Sequence, residues 1–222
     1  MGGKSHKIST DEAKAGGIDV PAAIAGPTLS GASVSGGVLG RLEAELAAGG
    51  GKRTPPVELW NPPYCGDIGL AIARDGTWSY RGSPIGRMPL VQLFASVLRR
   101  DEDGRHYLVT PVEKVDVAVE DAPFLAVEME VVSAGREQTL ILRTNLDDVV
   151  RVGSAHPLGL RLAADGGLKP YVLVRGRLEA LLTRALTYDL AELMVSDDEG
   201  RLGLWSAGAF FTCDAAPGGD VS

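Results

Sequence analysis

The stretch Ile72–Leu98, IARDGTWSYRGSPIGRMPLVQLFASVL, is echoed by Leu160–Leu186, LRLAADGGLKPYVLVRGRLEALLTRAL. Each reads as strand, Asp-Gly turn, strand, Arg-Gly, then helix. Turn dipeptides are common, so either match alone means little; their shared order points to duplication. Asp75-Gly76 returns as Asp165-Gly166 and Arg81-Gly82 as Arg175-Gly176, at a period of about 90 residues that is too long for a solenoid repeat. The reading is therefore α+β: two related halves of antiparallel strands with one helix each. An interface between such halves is a preferred place for a ligand.

Around this core the chain divides into segments. Residues 1–36 are rich in Ala, Gly and Ser without apolar periodicity and read as a disordered extension. Within 37–56, Val38, Leu39, Leu42 and Leu46 suit a short helix ended by Gly49–Gly51 and Pro55-Pro56. The first half spans 57–156. It enters through Asn61-Pro62-Pro63, turns a hairpin at Asp75-Gly76, and places Leu90, Leu93, Phe94, Val97 and Leu98 on one helical face with Pro89 in the first turn. A strand at His106–Val109, stopped by Thr110-Pro111, leads into a long alternating meander from Val115 to Val152. The second half spans 157–213, with its helix expected from Leu178, and 214–222 form a flexible tail.

Composition bounds the chemistry. A formal charge of -7 with pI near 5.0 argues against nucleic-acid binding driven by phosphate neutralisation. No apolar run of about 18 residues is present, so no membrane-spanning helix is expected. Cys65 and Cys213, far apart, suit reduced thiols, and the N-terminus lacks a secretory core, so a cytoplasmic location is expected.

Several catalytic arrangements are absent from the sequence: there is no Gly-x-Ser-x-Gly elbow and no P-loop ending in Gly-Lys-Ser or Gly-Lys-Thr. Two enzymatic options stay open. Cys65 could act as a nucleophile if the fold brought His106 or His156 to it, or it is a small residue beside the first strand. Asp67, Glu113, Asp147 and Asp148 could supply paired carboxylates, or they are solvated turn residues. No metal or cofactor is expected.

The more informative pattern is arginine beside a helix start: Arg81, Gly82, Ser83 and Arg87 before the first helix, and Arg175, Gly176 and Arg177 before the expected second. Free N–H groups and partial positive charge at a helix N-terminus favour anions, so these arginines could hold one. Alternatively they pair with Glu113, Asp121 or Glu179. Trp60, Trp78, Tyr80 and Trp205 either stack on a planar ligand or fill the core.

The blocks WNPPYCGDI, IARDGTWSYRGSPIGR, YLVTPVEK, EDAPF, RTNLDDVV, HPL, LVRGRLEALLTRALTYDLAEL and LWSAGAFF, in this order between Trp60 and Phe211, resemble the bacterial domain of unknown function 1285. The resemblance implies a duplicated α+β fold whose second half is similar to pleckstrin-homology-like barrels. It also implies a nucleotide-based ligand at the domain interface and a role in signal transduction. Carried onto this sequence, the implied surface involves Asn61, Asp67, Ser83, Arg87, Thr110, Glu113, Lys114, Asn145 and Arg175. Arg87 and Lys114 would hold an anionic group, Ser83 and Asn145 would hydrogen-bond, and Trp78 or Tyr80 would form an apolar wall. Gly159 departs from the pattern, which places a charged residue after HPL; Arg161 is the candidate replacement. The expectation is a non-enzymatic binding module for a small anionic ligand, with a protein-interaction platform as the alternative and a Cys65-dependent enzyme behind it.

Overall fold

In the computed structural model, residues 55–163 and 166–214 are described. The extension at 1–36, the short helix expected near Val38–Leu46, Asp165 and the tail beyond 214 lie outside the described residues.

The first half runs β1 (Tyr64–Ile72), β2 (Trp78–Tyr80), β3 (Ser83–Pro84), α1 (Met88–Ser96), β4 (Leu98–Arg100), β5 (His106–Val109) and β6 (Lys114–Val119). Its six strands form one sheet in the order β3-β2-β1-β6-β5-β4, with β1 antiparallel to β2 and parallel to β6. The β1–β2 turn forms because Asp75 Oδ1 accepts the Thr77 amide at 2.9 Å while Gly76 takes φ +79°, a left-handed conformation that glycine adopts without strain. α1 follows with Pro89 in its first turn and Leu90, Val91, Phe94 and Ala95 buried. It stops short of Leu98, which sequence periodicity placed on its face, because the Val109 amide bonds the Val97 carbonyl at 3.0 Å and draws the chain into β4.

A meander of β7 (Phe124–Val132), β8 (Thr139–Thr144) and β9 (Val149–Arg151) comes next. The second half then repeats the first: β10 (Leu158–Leu162), β11 (Leu168–Arg175), β12 (Leu178–Leu182), α2 (Arg184–Glu192), β13 (Val195–Ser196), β14 (Leu202–Ser206) and β15 (Ala209–Asp214). Its strands lie in the order β12-β11-β10-β15-β14-β13, with β10 antiparallel to β11 and parallel to β15. That is the pairing of the first sheet element for element. The meander joins β12 through β7, in parallel, to complete a nine-stranded sheet, although sequence reading grouped it with the first half.

Turn chemistry repeats with the topology. Asp101 accepts the Gly104 amide at 3.1 Å and bonds the Arg105 carbonyl through its own amide at 3.0 Å. Asp197, Gly200 and Arg201 make the same two bonds, both at 3.0 Å.

The expected start of the second helix is overturned. Arg175, Gly176 and Arg177 do not precede a helix; they turn the chain between β11 and β12, with Gly176 at φ +52°. Leu178, Ala180 and Leu182 are buried while Glu179 and Leu181 are less so, a period of two. The leucine spacing suits either element, and ladder pairing on both edges, to β11 and β7, selects the strand.

The second sheet curls until β14 meets β8. The buried Ser206 hydroxyl accepts the Leu140 amide at 2.9 Å and donates to the Val152 carbonyl at 2.8 Å, while Gln138 Nε2 donates to the Trp205 carbonyl at 2.7 Å. Ser206→Ala leaves a buried amide without an acceptor and is expected to cost about 1–3 kcal/mol, read as a lower urea midpoint at unchanged slope.

Candidate functional site

The two halves meet along a polar cleft of about 110 Å³. Arg100 at the end of β4 and His106 at the start of β5 are ladder partners and face it from the first half. Asp121, Ala122 and Pro123, the link from β6 to β7, form its floor; β10 contributes Arg161, β11 Tyr171, the following turn Arg177, and β12 Glu179. Three arginines and one histidine thus share the cleft with two carboxylates.

Each carboxylate already has cations. Asp121 accepts from Tyr171 Oη and Lys169 Nζ, both at 2.7 Å, and Arg74 Nε lies 3.7 Å away. Burial works to raise its pKa, but these partners outweigh it and hold the carboxyl below the usual range. The Tyr171 phenol is pushed up by burial and by the same carboxylate. Glu179 receives both terminal nitrogens of Arg161, one at 3.2 Å, and Arg100 Nη1 is 4.0 Å from it. Arg161 is itself laid over the Tyr171 ring, 4.4 Å from its centroid. Arg177 reaches Glu102 on the rim at 2.9 Å. Burial, then Arg100, push His106 down to about 4, against the opposing pull of Glu179.

Gly159 and Arg161 are two apart and share a face of β10, and a Cβ at 159 would sit 3.7 Å from Arg161 Nε, so the guanidinium lies over that position.

Of the residues named from sequence, Arg177, His106 and Arg161 line this cleft, whereas none of Asn61, Asp67, Trp78, Tyr80, Ser83, Arg87, Thr110, Glu113, Lys114, Asn145 and Arg175 does. Trp78 is not a ligand wall: it is 2% exposed and packs against Phe94, ring centroids 6.4 Å apart. Tyr80 is half-buried beneath Arg81. Asn61 and Ser83 are exposed, and Asp67 Oδ1 accepts the Gly69 amide within a bulge of β1. Arg87 holds the N-cap position of α1, beside the β3 edge, whereas Lys114 opens the central β6 and bonds Asp101 at 3.1 Å over the Tyr107 ring. Thr110 is buried, its hydroxyl accepting the Glu113 amide at 3.1 Å, and Glu113 is buried beside it. Asn145 Oδ1 accepts the Leu125 amide at 3.0 Å, and its Nδ2 packs at Gly76, tying the β1–β2 turn to the meander.

Arg175 also ties the halves together. Its Nη2 donates to the Ala95 carbonyl in the last turn of α1 at 2.7 Å, its Nη1 to Asp148 at 3.0 Å, and it covers the Phe124 ring at 4.9 Å. The helix has no basic residue in its own last turn, so a cation from the other half complements its dipole.

Cys65 is exposed and its thiol contacts the Pro63 carbonyl at 3.6 Å. Among the described residues no hydrogen bond joins it to an imidazole: His156 Nδ1 is bonded to the Leu173 carbonyl at 2.9 Å, and His106 faces the cleft. Among the described residues no group of three or more His, Cys, Asp or Glu side chains could hold a metal ion, and no helix is long and apolar enough to cross a membrane.

Two family models match end to end: the N-terminal domain of DUF1285, a domain of unknown function, over residues 55–122, and its C-terminal domain over 123–213. The chain belongs to the DUF1285 family. The boundary between the two family domains falls within Asp121–Pro123, in the floor of the cleft. The crystal structure of a DUF1285 protein from Silicibacter pomeroyi DSS-3 is 48% identical with a TM-score of 0.71, covering 78% of this chain and 93% of that one. A second family structure, from Shewanella baltica OS155, is 30% identical with a TM-score of 0.45, covering 56% and 91%. None of the curated proteins matches the chain.

Proposed function

We propose that this DUF1285 protein is a non-enzymatic regulatory module that binds a small anionic ligand in the cleft between its halves. The observation that carries the reading is the convergence of Arg100, Arg161 and Arg177 from separate elements on one concave seam. Cations brought together from both halves let one anion hold the halves jointly, which is how binding at a domain seam becomes a signal. A volume of about 110 Å³ lies well below the roughly 300–1,000 Å³ of sites that engulf a whole drug-sized ligand. The cleft therefore suits a phosphate-sized group; a nucleotide would seat its phosphate here and leave its base outside. The likeness of the second half to pleckstrin-homology-like barrels and a cytoplasmic signalling role belong to the same proposal.

The test is a thermal-shift and calorimetric titration of the intact chain with inorganic phosphate, pyrophosphate and AMP, using adenosine as the uncharged control. The reading expects saturable stabilisation by the anions, lost by tenfold or more in affinity in Arg161→Ala and Arg100→Ala. No stabilisation by any anion, or equal stabilisation of both variants, would refute it.

A second reading, a protein partner, is favoured by one observation. Among the described residues β7 pairs with β12 through Phe124–Ala126, and no ladder partner lies beside Val127–Val132 on that side. A strand could add there.

A further inference from the structure

We propose that Glu179 is a built-in competitor for the cleft: its carboxylate occupies the Arg161 guanidinium until a phosphate-class anion displaces it. The inference rests on the anion-binding reading above.

Glu179 stands between arginines of opposite halves, with Arg161 of β10 on both its oxygens and Arg100 of β4 at 4.0 Å. A carboxylate with two oxygens on one guanidinium and a second cation beside it makes the contacts that a phosphate would make there. It differs in charge, one negative against nearly two, so a phosphate answers both arginines more fully. Three features make displacement feasible. The pair is partly open to solvent, at 50% exposure for the Arg161 side chain and 22% for Glu179, and such pairs are weak. The Glu179 backbone is fixed by its ladder pairing with Leu173, so only the side chain has to move. Arg161 keeps its aim after Glu179 leaves, because its guanidinium rests on the Tyr171 ring, and that ring is tied to Asp121 through the phenol.

The regulatory consequence is a threshold. Weak or singly charged anions do not dislodge Glu179, whereas a dianion does, and the released carboxylate moves off the seam that joins the halves.

The test measures inorganic phosphate and AMP affinity by calorimetry for the wild-type chain, E179Q, E179D and E102Q. E179Q removes the competitor. E179D keeps the charge but shortens the reach to Arg161, and E102Q removes a rim carboxylate bound to Arg177. We expect both substitutions at 179 to tighten phosphate binding, E179Q by about five- to fifty-fold, with E102Q within about threefold of wild type. If only E179Q tightens, Glu179 acts by repulsion alone and the competitor is refuted. It is refuted equally if wild type binds and neither variant binds more tightly, although the anion site then stands. If no form binds phosphate or AMP, the anion site falls and the competitor with it. AMP affinity matching that of phosphate marks the phosphate group as the recognised part.

Discussion

Arg175→Ala is expected to lower the melting temperature by about 5–15 °C. The substitution removes a charged hydrogen bond to the Ala95 carbonyl, the ion pair with Asp148 and the cover on Phe124. A hydrogen bond to a charged group contributes about 1.5–3 kcal/mol and a partly desolvated cation–π contact about 1 kcal/mol. The Asp148 pair adds little, since that carboxylate is 36% exposed. The sum is about 2–4 kcal/mol, and a body of this size shifts by about 2–4 °C per kcal/mol. The loss falls on the junction, because the Ala95 carbonyl belongs to the first half and Arg175 to the second. Arg175→Lys should recover only part of it, since an ammonium cannot present two nitrogens in the fixed fork that spans Asp148 and Ala95. Differential scanning calorimetry of the three proteins decides this. Equal melting temperatures for wild type and Arg175→Ala would show that the guanidinium does not join the halves.

Stability is also expected to fall as pH drops from about 6.5 towards 4, and His106 is the cause. Burial and Arg100 hold its folded pKa down at about 4, with Glu179 opposing, whereas the unfolded ring titrates near 6.5. Between these values the unfolded chain binds a proton that the folded chain does not, so acidification favours unfolding. The full shift would correspond to about 3 kcal/mol, but the ring retains some solvent contact, and screening reduces the expected loss to about 1–2 kcal/mol. The carboxylates act in a separate window. Asp101 and Asp121 are held below their usual range by cationic partners despite burial, so their stabilising contribution is lost only below about pH 4. Urea titrations at several pH values should show the loss in wild type and its flattening between 6.5 and 4.5 in His106→Gln. An unchanged slope in that variant would assign the effect to another group.

The duplication is legible because its punctuation is chemical: Gly76, Gly82, Gly166 and Gly176, the glycines of the recurring Asp-Gly and Arg-Gly dipeptides, all take positive φ. A second recurrence was equally available. DEDGR at Asp101–Arg105 and DDEGR at Asp197–Arg201 fold into the same turn and extend the repeat through its last two strands. Leu178, Leu181 and Leu182 satisfy helical spacing, so periodicity alone sets the second helix one strand too early, and only pairing with β11 and β7 separates the two options.

The candidate site was less legible, for a physical reason. Its arginines come from the end of β4, the middle of β10 and a hairpin turn, and nothing local marks them as neighbours. Arg81, Arg87, Arg175 and Arg177 stand out in the sequence because they flank glycines, and of these only Arg177 lines the cleft. Arg175 stands there because a hairpin had to turn and a helix end needed a cation, and Asn145 and Thr110 likewise hold turns together. Two local signals reach the cleft: Arg177 beside Gly176, and Gly159, where a charge missing from the expected position directs attention to Arg161.

The most direct measurement is the anomalous density of tungstate, a phosphate mimic, in crystals of the full chain. The account predicts a peak between the Arg100 and Arg161 guanidinium groups, with the Glu179 carboxylate withdrawn from Arg161. A peak confined to the start of α1 near Arg87, or no peak in the cleft at saturating tungstate, would contradict it.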